Sequence, residues 1–115
     1  MRACVLGVFG LLMAQAMPAD ANPLDTALGQ AVFQTRCSIC HGPQADGKSR
    51  LGGVMRPQPS NLRTSALDAE AMQRIIATGG VGVGRSDQMP PWGDELSGME
   101  IDAIVAYLQG LKARR

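Results

Sequence analysis

The sequence predicts an all-α fold made of a few short helices. Three stretches of the 115-residue chain carry apolar residues at helical spacing, over residues 23–36, 65–78 and 96–111. Glycines and prolines interrupt the segment between the first two stretches, which is typical of a loop. No strand-like alternation flanks the most informative motif, at residues 37–41. A chain of this length has room for one small domain.

The motif at residues 37–41 reads Cys-Ser-Ile-Cys-His, which is the attachment pattern of a c-type haem. Residues at i and i+3 share one face of a helical turn, so both thiols can reach the two vinyl groups of one porphyrin and add to them as thioethers. His41 then lies under the ring, where an imidazole nitrogen can bind the iron. The motif predicts one covalent haem c, held by Cys37 and Cys40, with His41 as proximal ligand.

Other uses of these residues are less consistent with the composition. The chain has one His and three Cys, and Cys4 falls in a stretch that we expect to be removed, so a four-ligand zinc site lacks ligands. A blue-copper site needs two His and is excluded by the same count. A thioredoxin-like Cys-x-x-Cys motif would require a βαβ setting, for which the sequence shows no sign.

The N-terminal residues 1–21 have the pattern of a secretory signal peptide. Arg2 supplies the positive end, an apolar run covers residues 3–16, and residues 19–21 offer a small-x-small cleavage pattern. The run is short for a membrane span, although an uncleaved N-terminal anchor is the alternative. We expect a periplasmic protein whose domain covers residues 22–115, with no membrane span after cleavage. The formal net charge of +1 does not indicate a nucleic-acid binder.

The domain after residue 21 has few large side chains with which to build a core. Its only aromatic residues are Phe33, Trp92 and Tyr107. A large, mostly apolar haem would complete such a core, so we expect the haem-free chain to be poorly folded.

The first helix, predicted over residues 23–36, delivers the haem motif at its C-terminal end. Asp25 or Thr26 could cap its start. Gly29 would either allow another helix to approach closely or be a merely tolerated glycine. The predicted apolar face consists of Leu28, Val32 and Phe33.

Residues 42–64 are predicted to be a loop that wraps the haem edge. A ligating His usually donates its second N–H to a carbonyl or carboxylate, and a backbone carbonyl around Pro57 to Pro59 is the expected acceptor for His41. Four basic residues here could pair with a haem propionate, although a solvated position is more typical of each. They are Lys48, Arg50, Arg56 and Arg63.

The second helix, predicted over residues 65–78, has Asp68 as a candidate N-cap and Gly79 as its stop. Its apolar stripe is Leu67, Ala71, Met72, Ile75 and Ile76. The glycine-rich run at 79–84 superficially resembles a phosphate-binding loop. It follows a helix, with no strand opening into it, so we interpret it as a connector.

Residues 89–93, Met-Pro-Pro-Trp-Gly, form a stiff segment that holds Met89 in place, because two prolines follow the methionine directly. Its sulfur could meet the iron opposite His41, or it could pack on the ring and leave the iron open. Met72 lies on a helical stripe, Met99 lies in the first turn of the next helix, and Met55 is close to His41 along the chain. Met89 is the strongest candidate for the sixth ligand.

The last helix has the clearest start signal in the chain. Ser97 and Glu100 have the spacing of a capping box, with Leu96 and Ile101 as the hydrophobic staple. Apolar residues follow at helical spacing, at Ile101, Ile104, Val105, Leu108 and Leu111. Tyr107 is one position off this stripe, where it could cover the haem or the first helix.

These features together resemble the class I c-type cytochromes, the small bacterial electron carriers and their relatives among oxidase and dehydrogenase subunits. The resemblance covers nearly the whole domain and implies a cytochrome c-like fold of three to four helices wrapped around one covalently attached haem. It also implies that the first and last helices cross near Gly29 and Tyr107, and that His41 and Met89 are the axial iron ligands. It is carried by Gly29, Phe33, residues 37–41, residues 89–93 and residues 96–111 with Tyr107.

The function implied is periplasmic electron transfer rather than enzymatic catalysis. The haem would cycle between ferrous and ferric states, in a free carrier or in the electron-transfer subunit of a dehydrogenase or oxidase complex. Donor and acceptor proteins would dock at an exposed haem edge, steered by rim charges. The alternative is an open-site haem protein that binds or acts on a small ligand. A single haem motif excludes a two-haem peroxidase within this chain, and its early position differs from class II cytochromes, which carry it near the C-terminus.

Overall fold

The computed structural model describes residues 22–114, which form helices and loops with no strand among them. Helix α1 (Pro23–Val32) continues through a π-helical turn (Phe33–Cys37) into α2 (Ser38–His41), so that one continuous helix ends on the haem motif. Helices α3 (Arg50–Val54), α4 (Ala69–Thr78) and α5 (Gly98–Ala113) follow, with a 3-10 turn at Val81–Val83. With the continuous helix counted once, this part of the chain has four helices, which confirms the predicted all-α fold. The predicted signal peptide lies outside the described residues.

Helices α1 and α5 form the central contact of the fold. A Cβ atom built on Gly29 would lie 1.9 Å from the carbonyl oxygen of Ala103, so only glycine lets the two backbones come this close. One turn further on, the rings of Phe33 and Tyr107 meet with their centroids 5.6 Å apart. The close-approach role of Gly29 and the predicted meeting of the first and last helices near Tyr107 are both confirmed.

The structure confirms the start of the first helix at Pro23 and corrects its predicted cap. The N-cap is Asn22, whose side-chain oxygen accepts from the Leu24 backbone N–H, and not Asp25 or Thr26. Leu28 is 38 % exposed, so the buried face of this helix rests on Gly29 and Phe33.

The second predicted helix starts later than expected, at Ala69 rather than Ser65. The Ser65 hydroxyl accepts from the Leu67 N–H, which holds these residues in a turn that competes with helix. Asp68 caps the helix as predicted, accepting from the Ala71 N–H at 2.8 Å, and Gly79 ends it with a positive φ. Met72 and Ile76 of the predicted stripe are buried in the core.

Helix α3 is the main departure from the predicted loop over residues 42–64. The Ser49 side chain caps it by accepting from the Gly52 N–H. Its two central glycines have low helix propensity, so local sequence argued against a helix here. A tertiary contact supports it instead, because Gly52 packs directly on the carbonyl of Cys40.

Helix α5 agrees with its predicted start and stripe. The Ser97 hydroxyl accepts from the Glu100 N–H while the Glu100 carboxylate accepts from the Ser97 N–H, which completes the capping box. Within residues 22–114, no helix has both the length and the apolar character needed to cross a membrane. The predicted stripe residues are all buried: Ile101, Ile104, Val105, Leu108 and Leu111.

Candidate functional site

A cleft with two adjoining lobes lies beside the motif at residues 37–41. The inner lobe has a volume of about 240 Å³ and is walled mainly by apolar side chains, among them the core residues Phe33, Met72 and Ile104. The outer lobe has a volume of about 230 Å³. Three residues line both lobes, namely Cys37, His41 and Met89. Three of the four predicted haem-binding residues therefore meet where the two lobes join, and the fourth, Cys40, lines the outer lobe.

The two cysteines are brought together by the end of the continuous helix. Neither is in a disulfide, and both are partly buried. Burial raises the pKa of the Cys37 thiol to about 11, with a smaller contribution from the neighbouring Cys40. Because a thiolate is the form that binds zinc, this raised pKa does not favour a zinc site at Cys37.

His41 is held by the loop that follows α3. Its Nδ1 lies 3.1 Å from the carbonyl oxygen of Ser60, a geometry in which Nδ1–H donates and Nε2 carries the free lone pair. The predicted acceptor was a carbonyl around Pro57 to Pro59. The observed acceptor, Ser60, is the residue directly after Pro59. Burial lowers the pKa of the imidazole, partly opposed by the Ser60 hydrogen bond. A neutral, oriented imidazole is the form that ligates a metal.

Met89 is held against the end of α4 by backbone hydrogen bonds at its own carbonyl and at Trp92, three residues later. The Gly80 N–H donates to the Met89 carbonyl at 2.9 Å, and the Trp92 N–H donates to the Ile76 carbonyl at 2.9 Å. Gly79 makes the close packing possible, since a Cβ there would lie 2.9 Å from the Met89 carbonyl oxygen. The stiffness predicted from the two prolines is thus reinforced by tertiary contacts.

The rival methionines differ in their access to the cleft. Met99 is 70 % exposed at the start of α5 and lines neither lobe. Met72 is 2 % exposed and belongs to the core, although its side chain also forms part of the inner wall. Met55 is half-buried and lines the outer lobe. Met89 alone among them reaches both lobes.

Two arginines that the sequence analysis did not single out lie in the walls of the cleft. Arg85 lines the inner lobe, and Arg36 lines the outer lobe with its guanidinium 6.0 Å from the centroid of the Trp92 ring. The position of Arg36 directly before the first motif cysteine was the one sequence signal that it lies near the haem site. The four basic residues considered as propionate partners, Lys48, Arg50, Arg56 and Arg63, line neither lobe.

The donor set fits a haem better than a bare metal ion. Among residues 22–114 no group of three or more His, Cys, Asp or Glu side chains is placed to hold a metal. The cleft instead combines apolar walls with two thiols, one imidazole and one fixed thioether, which are the groups that a covalently attached haem requires. No carboxylate lines either lobe, so nothing there would repel the acidic propionates.

Known proteins are similar to this chain over most of its length. The model of the family described as cytochrome c oxidase, cbb3-type, subunit III matches residues 24–108. Cytochrome c6 of Bryopsis maxima is 29% identical over 84 residues, which cover 73% of this chain and 89% of that protein. A cytochrome c6-like protein of a Nostoc species is 28% identical over 105 residues, covering 90% of this chain and 86% of that protein.

A solved structure has the same fold. It is a chain of the Kuenenia stuttgartiensis reducing HAO-like protein complex, with a TM-score of 0.61 and 25% sequence identity. The match covers 73% of this chain but only 41% of that chain, so the chain spans less than half the length of this structural relative.

Proposed function

We propose a location and a set of haem ligands for this chain, which belongs to the cytochrome c oxidase, cbb3-type, subunit III family. It is a small c-type cytochrome that carries electrons through a covalently bound haem c. The chain works in the periplasm, its haem is attached to Cys37 and Cys40, and His41 and Met89 are the two axial ligands of the iron.

The observation that carries this assignment is that His41 and Met89 reach the same two lobes from different parts of the fold. His41 ends α2, whereas Met89 lies in the segment between α4 and α5. In a haem, the porphyrin occupies four positions of the iron, so two further fixed ligands leave none open. This suits electron transfer better than the binding of a small molecule.

The chain's own residues have distinct roles in this proposal. Cys37 and Cys40 hold the cofactor covalently, and the Ser60 carbonyl keeps His41 in the tautomer with a free Nε2. The hydrogen bonds of Gly80 and Trp92 hold Met89 in position, so neither ligand needs to move when the charge changes. The apolar side chains of the inner wall would limit the access of water to the cofactor. When bound, the haem iron supplies a one-electron couple between its ferrous and ferric states, and a thioether ligand raises its potential.

The test is an absorption spectrum of the haem-loaded protein in both oxidation states, with and without carbon monoxide. We expect low-spin spectra that carbon monoxide does not change, and a methionine-to-iron band that Met89→Ala abolishes. Met55→Ala is the matched control, because Met55 lines the outer lobe without reaching the inner one, and it should leave the band intact. A high-spin wild type that binds carbon monoxide readily would contradict the assignment and favour an open-site haem protein.

The periplasmic location rests on the signal-peptide pattern of residues 1–21. Haem attachment after export should yield a mature protein that begins at Asn22, which intact-mass measurement of the purified haem protein would show directly. A mass that retains residues 1–21 would contradict cleavage and support an N-terminal anchor. Purification from the soluble and membrane fractions would separate a free carrier from the subunit of a larger complex.

A further inference from the structure

A hydrogen bond beside the outer lobe joins two distant parts of the chain. The side-chain Nε2 of Gln88 donates to the backbone carbonyl of Arg56 at 2.5 Å, although the two residues are 32 positions apart. Gln88 directly precedes Met89 and also lines the outer lobe. The contact therefore connects the part of the chain that carries Met89 to the residues that follow α3.

The residues around Met89 are otherwise hydrogen-bonded only to their own side of the fold. We call residues 86–93 the Met89 segment. Its backbone hydrogen bonds all stay within residues 76–96, where they attach it to the end of α4. Among the residues that the structure describes, Gln88 makes the segment's only hydrogen bond to the part of the chain that precedes α4 and contains His41.

The acceptor of this hydrogen bond is itself held in place by α3. The Arg56 guanidinium donates to the carbonyls of Met55 at 2.7 Å and of Gly53 at 3.1 Å, so its side chain folds back on the end of the helix. At the start of the same helix, the Ser49 hydroxyl donates to the Cys40 carbonyl at 2.9 Å. Helix α3 is thus fixed at one end to the motif at residues 37–41 and supports at the other end the acceptor for the Met89 segment.

We propose that Gln88 is a positioning residue, whose side chain ties the Met89 segment to α3 and so keeps Met89 at the cleft. That Met89 is an iron ligand rests on the proposed function, whereas the tie is a contact between two parts of the chain. The Arg36 guanidinium beside the Trp92 ring is a further contact between these two parts, so loss of the Gln88 hydrogen bond should loosen the segment without releasing it.

The first test is the affinity of imidazole for the ferric haem-loaded protein. A ligand that binds only after the Met89 segment has lifted has an apparent affinity proportional to the fraction of open molecules. Removing one hydrogen bond in Gln88→Ala should raise this affinity about three- to tenfold. Gln88→Glu keeps the side-chain length but has no N–H to donate, so it should behave like Gln88→Ala. Wild-type affinity in both variants would overturn the proposal.

Gln73→Ala is the matched control. The Gln73 Nε2 donates to the Asp102 carboxylate at 2.6 Å and joins α4 to α5, and Gln73 lines neither lobe. This variant therefore loses the same side chain and a long-range hydrogen bond away from the cleft, and its imidazole affinity should stay within about twofold of wild type. An equal rise in the Gln73 and Gln88 variants would indicate a general loss of stability and would overturn the positioning role.

Amide hydrogen exchange measures the same opening independently of the iron. The Gly80 N–H donates to the Met89 carbonyl at 2.9 Å, so it should exchange with solvent when the segment lifts. Gln88→Ala should speed this exchange about three- to tenfold. The Ala71 N–H, which is bound by the Asp68 cap at the start of α4, should exchange at its wild-type rate. An unchanged rate at Gly80 would contradict the tie.

The two readouts separate this proposal from the assignment of the iron ligands. A protein that loses its methionine-to-iron band in Met89→Ala, but whose imidazole affinity and Gly80 exchange ignore Gln88→Ala, would refute the positioning role alone. A protein without that band, whose Gly80 exchange still responds to Gln88→Ala, would refute Met89 as an iron ligand and retain the tie between the Met89 segment and α3.

Discussion

The contact between Gly29 and Ala103 allows the packing of α1 on α5 to be tested at a single atom. Replacing Gly29 with Ala adds one Cβ that would lie 1.9 Å from the Ala103 carbonyl oxygen and 2.9 Å from the Ile104 nitrogen. Both obstacles are backbone atoms of α5, so the helices themselves must separate. Overpacking of this kind costs about 1–3 kcal/mol, and a clash with backbone places it at the upper end.

The substitution also brings a gain, because alanine favours a helix interior over glycine by about 1 kcal/mol. The net expectation for Gly29→Ala is therefore a loss of about 2 kcal/mol in the free energy of unfolding. With a urea m-value of about 2 kcal/mol/M for a small domain, the unfolding midpoint should fall by about 1 M.

Gly110→Ala is the matched control in α5, since a Cβ there meets nothing within 4 Å. This variant should gain about 0.5–1 kcal/mol, because only the helix-propensity term remains. The assay is urea unfolding of the haem-loaded protein, followed by helical circular dichroism. If Gly29→Ala were as stable as wild type while Gly110→Ala behaved as expected, the reasoning about close helix approach would be refuted.

Three further predictions concern other parts of the fold. Phe33→Ala should cost about 3–5 kcal/mol, measured by the same urea assay, because Phe33 is 0 % exposed and packs on Tyr107; a loss below about 1 kcal/mol would contradict its place in the core. Hydrogen bonds from the Ser97 backbone N–H and, to a smaller extent, from its hydroxyl lower the pKa of Glu100. The stability that the ionised Glu100 contributes is therefore present at neutral pH. It is lost as the pH falls below the ordinary glutamate pKa of about 4.3 and through the lowered pKa of the folded state. Thermal unfolding against pH should therefore show an acid-dependent loss that is smaller in Glu100→Gln, and identical profiles would contradict it. Haem-free protein, made with both motif cysteines replaced by serine, should show weak helical dichroism and no cooperative melt, whereas near-native unfolding would contradict the dependence of the core on the haem.

Much of the helical framework could be predicted because its signals are local. The caps at Asp68 and Ser97 act on N–H groups within one turn, so each is decided by residues only a few positions away. The buried stripe of α5 follows from the spacing of its apolar residues alone. The glycine at position 29 suggested close packing, but Ala103 as the residue it contacts on α5 became evident only from the fold.

The local rules failed where a distant part of the chain supplied the decisive contact. Nothing within residues 50–54 favours a helix with two central glycines, and α3 forms where Gly52 and Ser49 meet the Cys40 carbonyl. The acceptor for His41 lies nineteen positions along the chain, and sequence reasoning placed it one residue too early. Arg85 lies in the wall of the cleft, although no motif in the sequence predicted that position.

By itself, then, the sequence determined the cofactor class, the all-α architecture and several helix ends, at Pro23, Thr78 and Ser97. These features depend on covalent chemistry and on interactions within a turn or two. Only the tertiary structure decided which carbonyl orients His41, which methionine reaches both lobes and where α3 lies. Such contacts join residues far apart in the chain, and their free energy depends on how the intervening loops close around the core.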